Sequence, residues 1–308
     1  MSTSQSKADI LFGTLELEEL DVDLFRATTL WHPPFTPRIY GGQVIGQALV
    51  AASKTVDDQF SPHSLHSYFL RHGDPNIPVI YKVERTRNGR SYCSRNVYAI
   101  QRGLPIYTSQ ISFCKFEKSA IEHQAEMPEA PAPESLPTTK ERLESYLNYG
   151  MNEKHRSTLE KAFASEIPLD IRPCDKQRLG FFDQAVEVSK PHQLIWIKAV
   201  DKIGPGFDKL HQCIAGYASD YSLLQTARLP HPKFKVTFAS SLDHSMWFHL
   251  PFRADEWMLY EIQSPKTNNG RALVLARLFT RDGRLAVSVA QEGVLRGVVG
   301  ESPTPSRL

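Results

Sequence analysis

Two segments of the chain are apolar almost all the way round a helix, and each is followed by runs in which apolar and polar residues alternate. The first segment is GGQVIGQALVAASKTV, Gly41 to Val56. The second is LHQCIAGYASDYSLLQTA, Leu210 to Ala227. A helix without a polar face belongs in a core. The runs that follow have the period of two expected of strands with one buried face. After the first helix they are Ser64 to Arg71, Ile77 to Arg87, Ser91 to Gln101 and Pro105 to Phe116. After the second they are Phe234 to His249, Trp257 to Gln263, Arg271 to Thr280 and Arg284 to Arg296. The pattern predicts one buried helix wrapped by an antiparallel meander, twice over, and places the chain among α+β folds.

The two halves are an internal repeat. Asn88-Gly89-Arg90 is matched by Asn269-Gly270-Arg271, Arg102-Gly103 by Asp282-Gly283, and Gln110 by Gln291. The first and last pairs are both 181 positions apart (270 − 89 and 291 − 110). Asn-Gly, Arg-Gly and Asp-Gly between alternating runs are hairpin signals. Upstream, SLHSYFL (Ser64 to Leu70) echoes SLDHSMWF (Ser241 to Phe248). The stretch between the halves is rich in Glu, Lys, Pro and Ala, and Pro128, Pro131, Pro133 and Pro137 exclude a regular sheet there. Surface helices are expected at Lys140 to Tyr149 and Lys154 to Ala164. The expected division is an N-terminal domain over 10–117, a linker over 118–175, a C-terminal domain over 176–300 and a flexible tail over 301–308.

Composition removes several function classes. Of 308 residues, 41% are hydrophobic and 23% charged, enough for a full core. With 36 basic and 34 acidic residues the net charge is +2, without the basic stripe of a nucleic-acid binder. Cys93, Cys114, Cys174 and Cys213 make no CxxC pair and no metal spacing with histidine, so four reduced thiols are expected. The opening MSTSQSKADI has no apolar signal region, and no run approaches the ~18 apolar residues of a membrane helix. A soluble, intracellular protein is expected.

No GxSxG elbow, P-loop, GxGxxG or HExxH occurs. The candidates for chemistry are polar residues in apolar settings. Asp220 shares a helical face with Tyr217 and Leu224, where a carboxylate is costly unless hydrogen-bonded or used. Gln291 shares a strand face with Leu285, Val287, Val289 and Leu295. In the long run from Phe234, strict alternation turns Ser240 inward, whereas a bulge turns Ser241 inward; the pattern leaves both open. His63 and His66 form HxxH, and His244 and His249 share a strand, but no third ligand completes a metal set, and all four read as structural. Arg90, Arg95 and Arg271 beside turns are candidates for meeting phosphates.

GGQVIGQALVAA, HSLHSYFLRHGD, NGRSYCSRNVYAIQRG, LDHSMWFHLPFRADEWMLYE and DGRLAVSVAQEGVLRG, in this order, resemble the acyl-CoA thioesterase II family, which includes the bacterial TesB-type enzymes and the peroxisomal acyl-CoA thioesterases of animals and fungi. The resemblance runs from about Leu15 to Arg296. It implies a tandem (double) hot-dog fold, two antiparallel sheets each wrapping a central helix, and hydrolysis of fatty acyl-CoA to fatty acid and CoA. It carries the family's catalytic Asp onto Asp220 in the YxSD segment, its hydroxyl onto Ser241 before DHSMWFH, and its Gln onto Gln291 in QEG. Ser stands where bacterial members have Thr. His66 is a lesser candidate for shaping the site. The first half offers Gln47 and Gln110 but no accompanying carboxylate, so one active site per chain is expected, with no metal or redox cofactor. The rival readings are a non-catalytic acyl-CoA or acyl-carrier binding module and a hot-dog dehydratase, which needs an acidic residue paired with histidine.

The chain ends in Ser306-Arg307-Leu308, a basic variant of the S-K-L peroxisomal address, in a proline-containing tail. With acyl-CoA chemistry implied, it suggests delivery to the peroxisome matrix by an import receptor, with the cytosol as the alternative. Hot-dog sheets pair through their edges, so a homodimer or larger homo-oligomer is expected.

Overall fold

The computed structural model describes residues 13–33, 36–147, 157, 160, 167–175 and 188–300. The expected helix over Lys154 to Ala164, apart from Ser157 and Glu160, and the tail bearing Ser306, Arg307 and Leu308 lie outside the described residues.

The first half opens with two short strands, β1 (Glu18–Asp21) and β2 (Leu24–Ala27). Helix α1 (Gly41–Ser53) follows, then β3 (Ser61–Phe69), β4 (Val79–Asn88), β5 (Tyr92–Gln101) and β6 (Leu104–Cys114). After a surface helix α2 (Thr139–Leu147), the second half begins with β7 (Leu169–Pro173) and β8 (His192–Ala199). Its helices are α3 (Asp208–Ser219) and the single turn α4 (Leu223–Thr226). Its remaining strands are β9 (Phe234–Ser241), β10 (Asp243–Phe248), β11 (Met258–Asn268), β12 (Arg271–Thr280) and β13 (Leu285–Val299). The tandem hot-dog architecture is present, and the two sheets are joined edge to edge. The order is β1-β2-β4-β5-β6-β3-β10-β13-β12-β11-β8-β7, with β9 also on β13. The join is the antiparallel β3–β10 pair, in which His66 faces Ser245 and Ser64 faces Trp247.

The turns follow the sequence. Arg102 (φ 51°) and Gly103 (φ 74°) form the β5–β6 corner, and Asn269 (φ 49°) and Gly270 (φ 68°) the β11–β12 corner. Two consecutive positive φ values match the twist of the flanking strands.

The two central helices pack on each other inside the sheet, and small residues set how closely. A Cβ added at Gly42 would lie 2.1 Å from the Tyr217 carbonyl oxygen, and one at Gly216 would lie 2.6 Å from Leu49 Cδ1. All of α1 from Gly42 to Leu49 is buried, as its apolar circumference requires.

Two expected elements are broken in the structure. The helix expected from Leu210 to Ala227 is interrupted: α3 ends at Ser219, Asp220 is its C-cap, and Ser222 takes φ 64° before α4 begins. Asp220 therefore sits on a helix end rather than midway along a helical face. The strand expected from Phe234 to His249 is also divided. Ser241 faces Gly293 and Ser245 faces Ala290, so four steps on one strand match three on the other, a β-bulge.

β8 escaped the alternation test because Ile195, Trp196 and Ile197 are all buried. The inner face of β8 joins the main core. On the other face the linker covers Trp196, with Leu136 packed in a cluster with Trp196, Trp257, Leu259 and Phe279. Pro131 accepts the Trp196 indole N–H at 2.7 Å, and Glu134 pairs with Arg281. All four cysteines are free. No described helix is long and apolar enough to cross a membrane.

Candidate active site

The C-terminal end of α3 meets the N-terminal end of α1, and Asp220 stands at that junction. Two glycines allow the approach. A Cβ at Gly41 would be 2.7 Å from Asp220 Oδ2, and the backbone N–H of Gly42 donates to the same carboxylate. A helix N-terminus favours a negative charge here.

An earlier bulge on β9 supplies the second side chain: Val236 faces Gly297 and Phe238 faces Arg296, so Thr237 is an extra residue and the phase of the strand changes. Ser241 is thereby turned to the inside, where its hydroxyl donates to Asp220 Oδ1 at 3.4 Å. Ser240 points its hydroxyl to the Ser241 carbonyl instead. Gln291, 1% exposed on β13, is the third. Its Nε2 donates to Ser241 Oγ at 3.0 Å, and its amide also hydrogen-bonds Asp220. Burial raises the Asp220 pKa to about 6, against the opposing pull of Gln291, Ser241 and Gly42. A carboxyl in that range exchanges a proton readily near neutral pH.

Behind Gln291 lies His244, fully buried on β10. Its Nδ1 is 2.5 Å from Gln291 Oε1 and its Nε2 is 2.9 Å from Ser219 Oγ. Burial lowers its pKa to about 4, so the ring is neutral. Sequence reasoning set His244 aside as structural; the alternation His244, Met246, Phe248 is the signal that it faces inward.

Asp220, Ser241 and Gln291 open into a cavity of about 610 Å³ walled by both halves of the chain. Val44, Phe69, Ile106 and Leu224 give it apolar surface; Arg38, Arg71 and Arg228 give it positive charge. Phe238 in the same wall has the Arg38 guanidinium 5.2 Å from its ring centre and that of Arg296 at 6.0 Å.

Other candidates lie elsewhere. Gln47 bonds Thr14 and Tyr81 in the core, and Gln110 is exposed and bonds Asn96. His66 is exposed on the outer sheet face and bonds Ser245; it does not line the cavity. His63 and His249 bond Ser112 and Ser288. Arg95 is buried and held by Thr55, Asn88 and backbone carbonyls, Arg271 pairs with Glu292, and Arg90 is exposed; none of the three borders the cavity. The arginines of the cavity are others, which hairpin proximity could not single out. Among the described residues no cluster of three His, Cys, Asp or Glu is placed to hold a metal.

The fold is a tandem hot-dog that gathers a half-buried carboxylate and hydroxyl and a buried amide on one cavity. Comparison with known proteins identifies the family. Residues 168–294 match the family model described as acyl-CoA thioesterase, and residues 28–114 the model described as acyl-CoA thioesterase N-terminal domain. The chain belongs to the acyl-CoA thioesterase II family, hydrolases of acyl-CoA thioesters. Acyl-coenzyme A thioesterase 8 of Rattus norvegicus is 47% identical over 289 residues, covering 93% of this chain and 89% of its own. The peroxisomal acyl-coenzyme A thioester hydrolase 1 of Saccharomyces cerevisiae is 27% identical, covering 95% and 96% respectively. The crystal structure of acyl-CoA thioesterase II TesB2 from Mycobacterium marinum aligns with TM-score 0.72 at 35% identity, covering 94% of this chain and 100% of that one.

Proposed function

We propose that this chain hydrolyses fatty acyl-CoA with Asp220 as general base, and with Ser241 and Gln291 holding the attacking water. The observation that supports this reading is the convergence of a hydroxyl at 3.4 Å and an amide donor on one carboxylate in the wall of a large cavity. The carboxylate takes a proton from water as the water oxygen bonds to the thioester carbonyl carbon. The carbonyl oxygen becomes an oxyanion, met by the backbone N–H of Gly41 at the start of α1. The C–S bond then breaks, and the proton on Asp220 passes to the CoA sulfur. Fatty acid and CoA leave, and no acyl-enzyme forms. Asp220, Ser241 and Gln291 are thus the proposed catalytic residues. The acyl chain lies along Val44, Ile106 and Leu224, and the CoA phosphates lie toward Arg38, Arg71 and Arg228.

A dehydratase needs its histidine and its acid to face the same substrate carbon atoms, and His244 is screened from the cavity by Gln291. We further propose the division into domains at 10–117 and 176–300, a homo-oligomer, and a peroxisomal location reached through Ser306-Arg307-Leu308. The yeast relative, a peroxisomal acyl-coenzyme A thioester hydrolase by name, supports that location. The test is CoA release from a panel of acyl-CoA chain lengths by wild type, Ser241→Ala and Gln291→Ala. Each variant is expected to lose about tenfold or more in kcat; both retaining wild-type kcat would refute the assignment.

A further inference from the structure

The proposed base is oriented by Gln291, but a glutamine amide has two faces. With Nε2 toward the site it donates to Ser241 and Asp220; turned over, it sets a carbonyl oxygen against the carboxylate. We propose that His244 is a positioning residue that fixes the working orientation of Gln291, so that the unit acting on the water extends from Ser219 through His244 to Gln291, Ser241 and Asp220. This rests on the reading that Asp220, Ser241 and Gln291 are the catalytic groups.

The geometry is that of a relay. His244 Nδ1 lies 2.5 Å from Gln291 Oε1, and Gln291 Nε2 lies 3.0 Å from Ser241 Oγ. For the amide oxygen to accept from the ring, Nδ1 must carry the hydrogen, and a neutral ring then has a bare Nε2. Ser219 Oγ stands 2.9 Å from that Nε2 and supplies the hydrogen it needs. The opposite pattern is drawn by the Gly216 carbonyl, also 2.9 Å from Ser219 Oγ. With the serine donating there, Nε2 would carry the hydrogen and Nδ1 would accept from the amide, turning Gln291 Oε1 toward Asp220. Ionised Asp220 opposes that arrangement, and the three bonds in the working direction reinforce one another.

The surroundings hold the ring in place. His244 is fully buried, and its own carbonyl accepts the Ser67 hydroxyl at 2.8 Å. The Ser219 carbonyl accepts the Tyr260 hydroxyl, which ties the far end of the relay to β11. Met246 Sδ, 3.4 Å from Ser219 Oγ, packs beside it. Among the described residues no charged group touches the ring, and burial keeps it uncharged above a pH of about 4. His244 therefore orients and does not shuttle protons to the substrate.

His244→Leu keeps the volume and removes both nitrogens. His244→Asn places an amide N–H near the position of Nδ1. The Leu variant is expected to lose about tenfold or more in kcat with KM within about threefold, because orientation is lost and the cavity is not touched. Its acid limb is expected to move to higher pH, since Asp220 loses a donor that favours its charged form. The Asn variant is expected to return to within about threefold of wild type. A Leu variant with wild-type kcat overturns the proposal, as does an Asn variant as impaired as the Leu variant when both melt near wild type. Should neither fold, ring nitrogen NMR of the wild-type protein decides it. The expected resonances are a protonated Nδ1 and a bare Nε2; the reverse tautomer overturns the proposal. Asp220→Asn belongs in the same series. Turnover surviving that change removes the underlying reading of the site, whereas the tautomer reports on His244 alone.

Discussion

Replacing Asp220 with asparagine is expected to stabilise the protein while it removes most of the turnover. The carboxyl titrates near 3.8 in an unfolded chain and at about 6 in the folded one, chiefly because burial penalises its charged form. The folded state thus holds the proton more tightly, and stability falls as pH rises between those two values. Below pH 3.8 the cost is absent; above about 6 it is complete, and by linkage it amounts to roughly 3 kcal/mol. Asparagine carries no charge, so the variant avoids this cost. Its amide N–H₂ now faces one of the donors that served the carboxylate, which returns about 1 kcal/mol. The expected net gain is about 1–2 kcal/mol at pH 7.5, shrinking toward zero or reversing at pH 4. Urea unfolding of wild type and Asp220→Asn at several pH values reads this directly, at fixed protein concentration so that any assembly contributes equally. A variant less stable than wild type at pH 7.5, or a difference that does not change with pH, would refute the claim that Asp220 is a buried charge kept at a cost for function.

Three further outcomes follow from the same geometry. The wild-type kcat/KM should rise about tenfold per pH unit at low pH and level off through about pH 6, as the base loses its proton, which a pH–rate profile on a short acyl-CoA checks. Gly42→Ala would push a methyl to 2.1 Å from the Tyr217 carbonyl, part the two helices and disturb the amide that bonds Asp220. A loss of about 2–4 kcal/mol in urea unfolding is expected, together with a fall in kcat. Arg38→Ala removes a cation 5.2 Å from the Phe238 ring in the cavity wall and should raise KM about tenfold with kcat nearly unchanged, read from steady-state CoA release.

Periodicity made most of the fold legible, because each hot-dog sheet has one dry face and one wet face over much of its length. It failed where that condition fails. β8 is covered on the inside by the core and on the outside by the linker, so Ile195, Trp196 and Ile197 show no alternation. β1 is a short edge strand exposed throughout, with no apolar face to detect. Local backbone events were also invisible. The left-handed turn at Ser222, which ends the second central helix and leaves Asp220 at its cap, has no glycine to announce it. The bulge at Thr237, opposite Arg296 and Gly297, has no residue signature either, yet it decides which of two adjacent serines turns toward Asp220. Asp220 and Gln291 were readable because a polar group amid apolar neighbours is costly. Ser241 needed the family resemblance. His244 obeyed the inward phase of its strand but looked like an ordinary core histidine until Gln291 was placed against it.

The central claim is that Asp220 activates water and is not needed for holding the substrate. The most direct measurement pairs turnover of acyl-CoA by Asp220→Asn with binding of a thioether analogue that cannot be hydrolysed. Turnover is expected to fall by about 10² to 10⁴, with affinity for the analogue within about threefold of wild type. Turnover within about threefold of wild type would contradict it and move the search for the base to another part of the cavity.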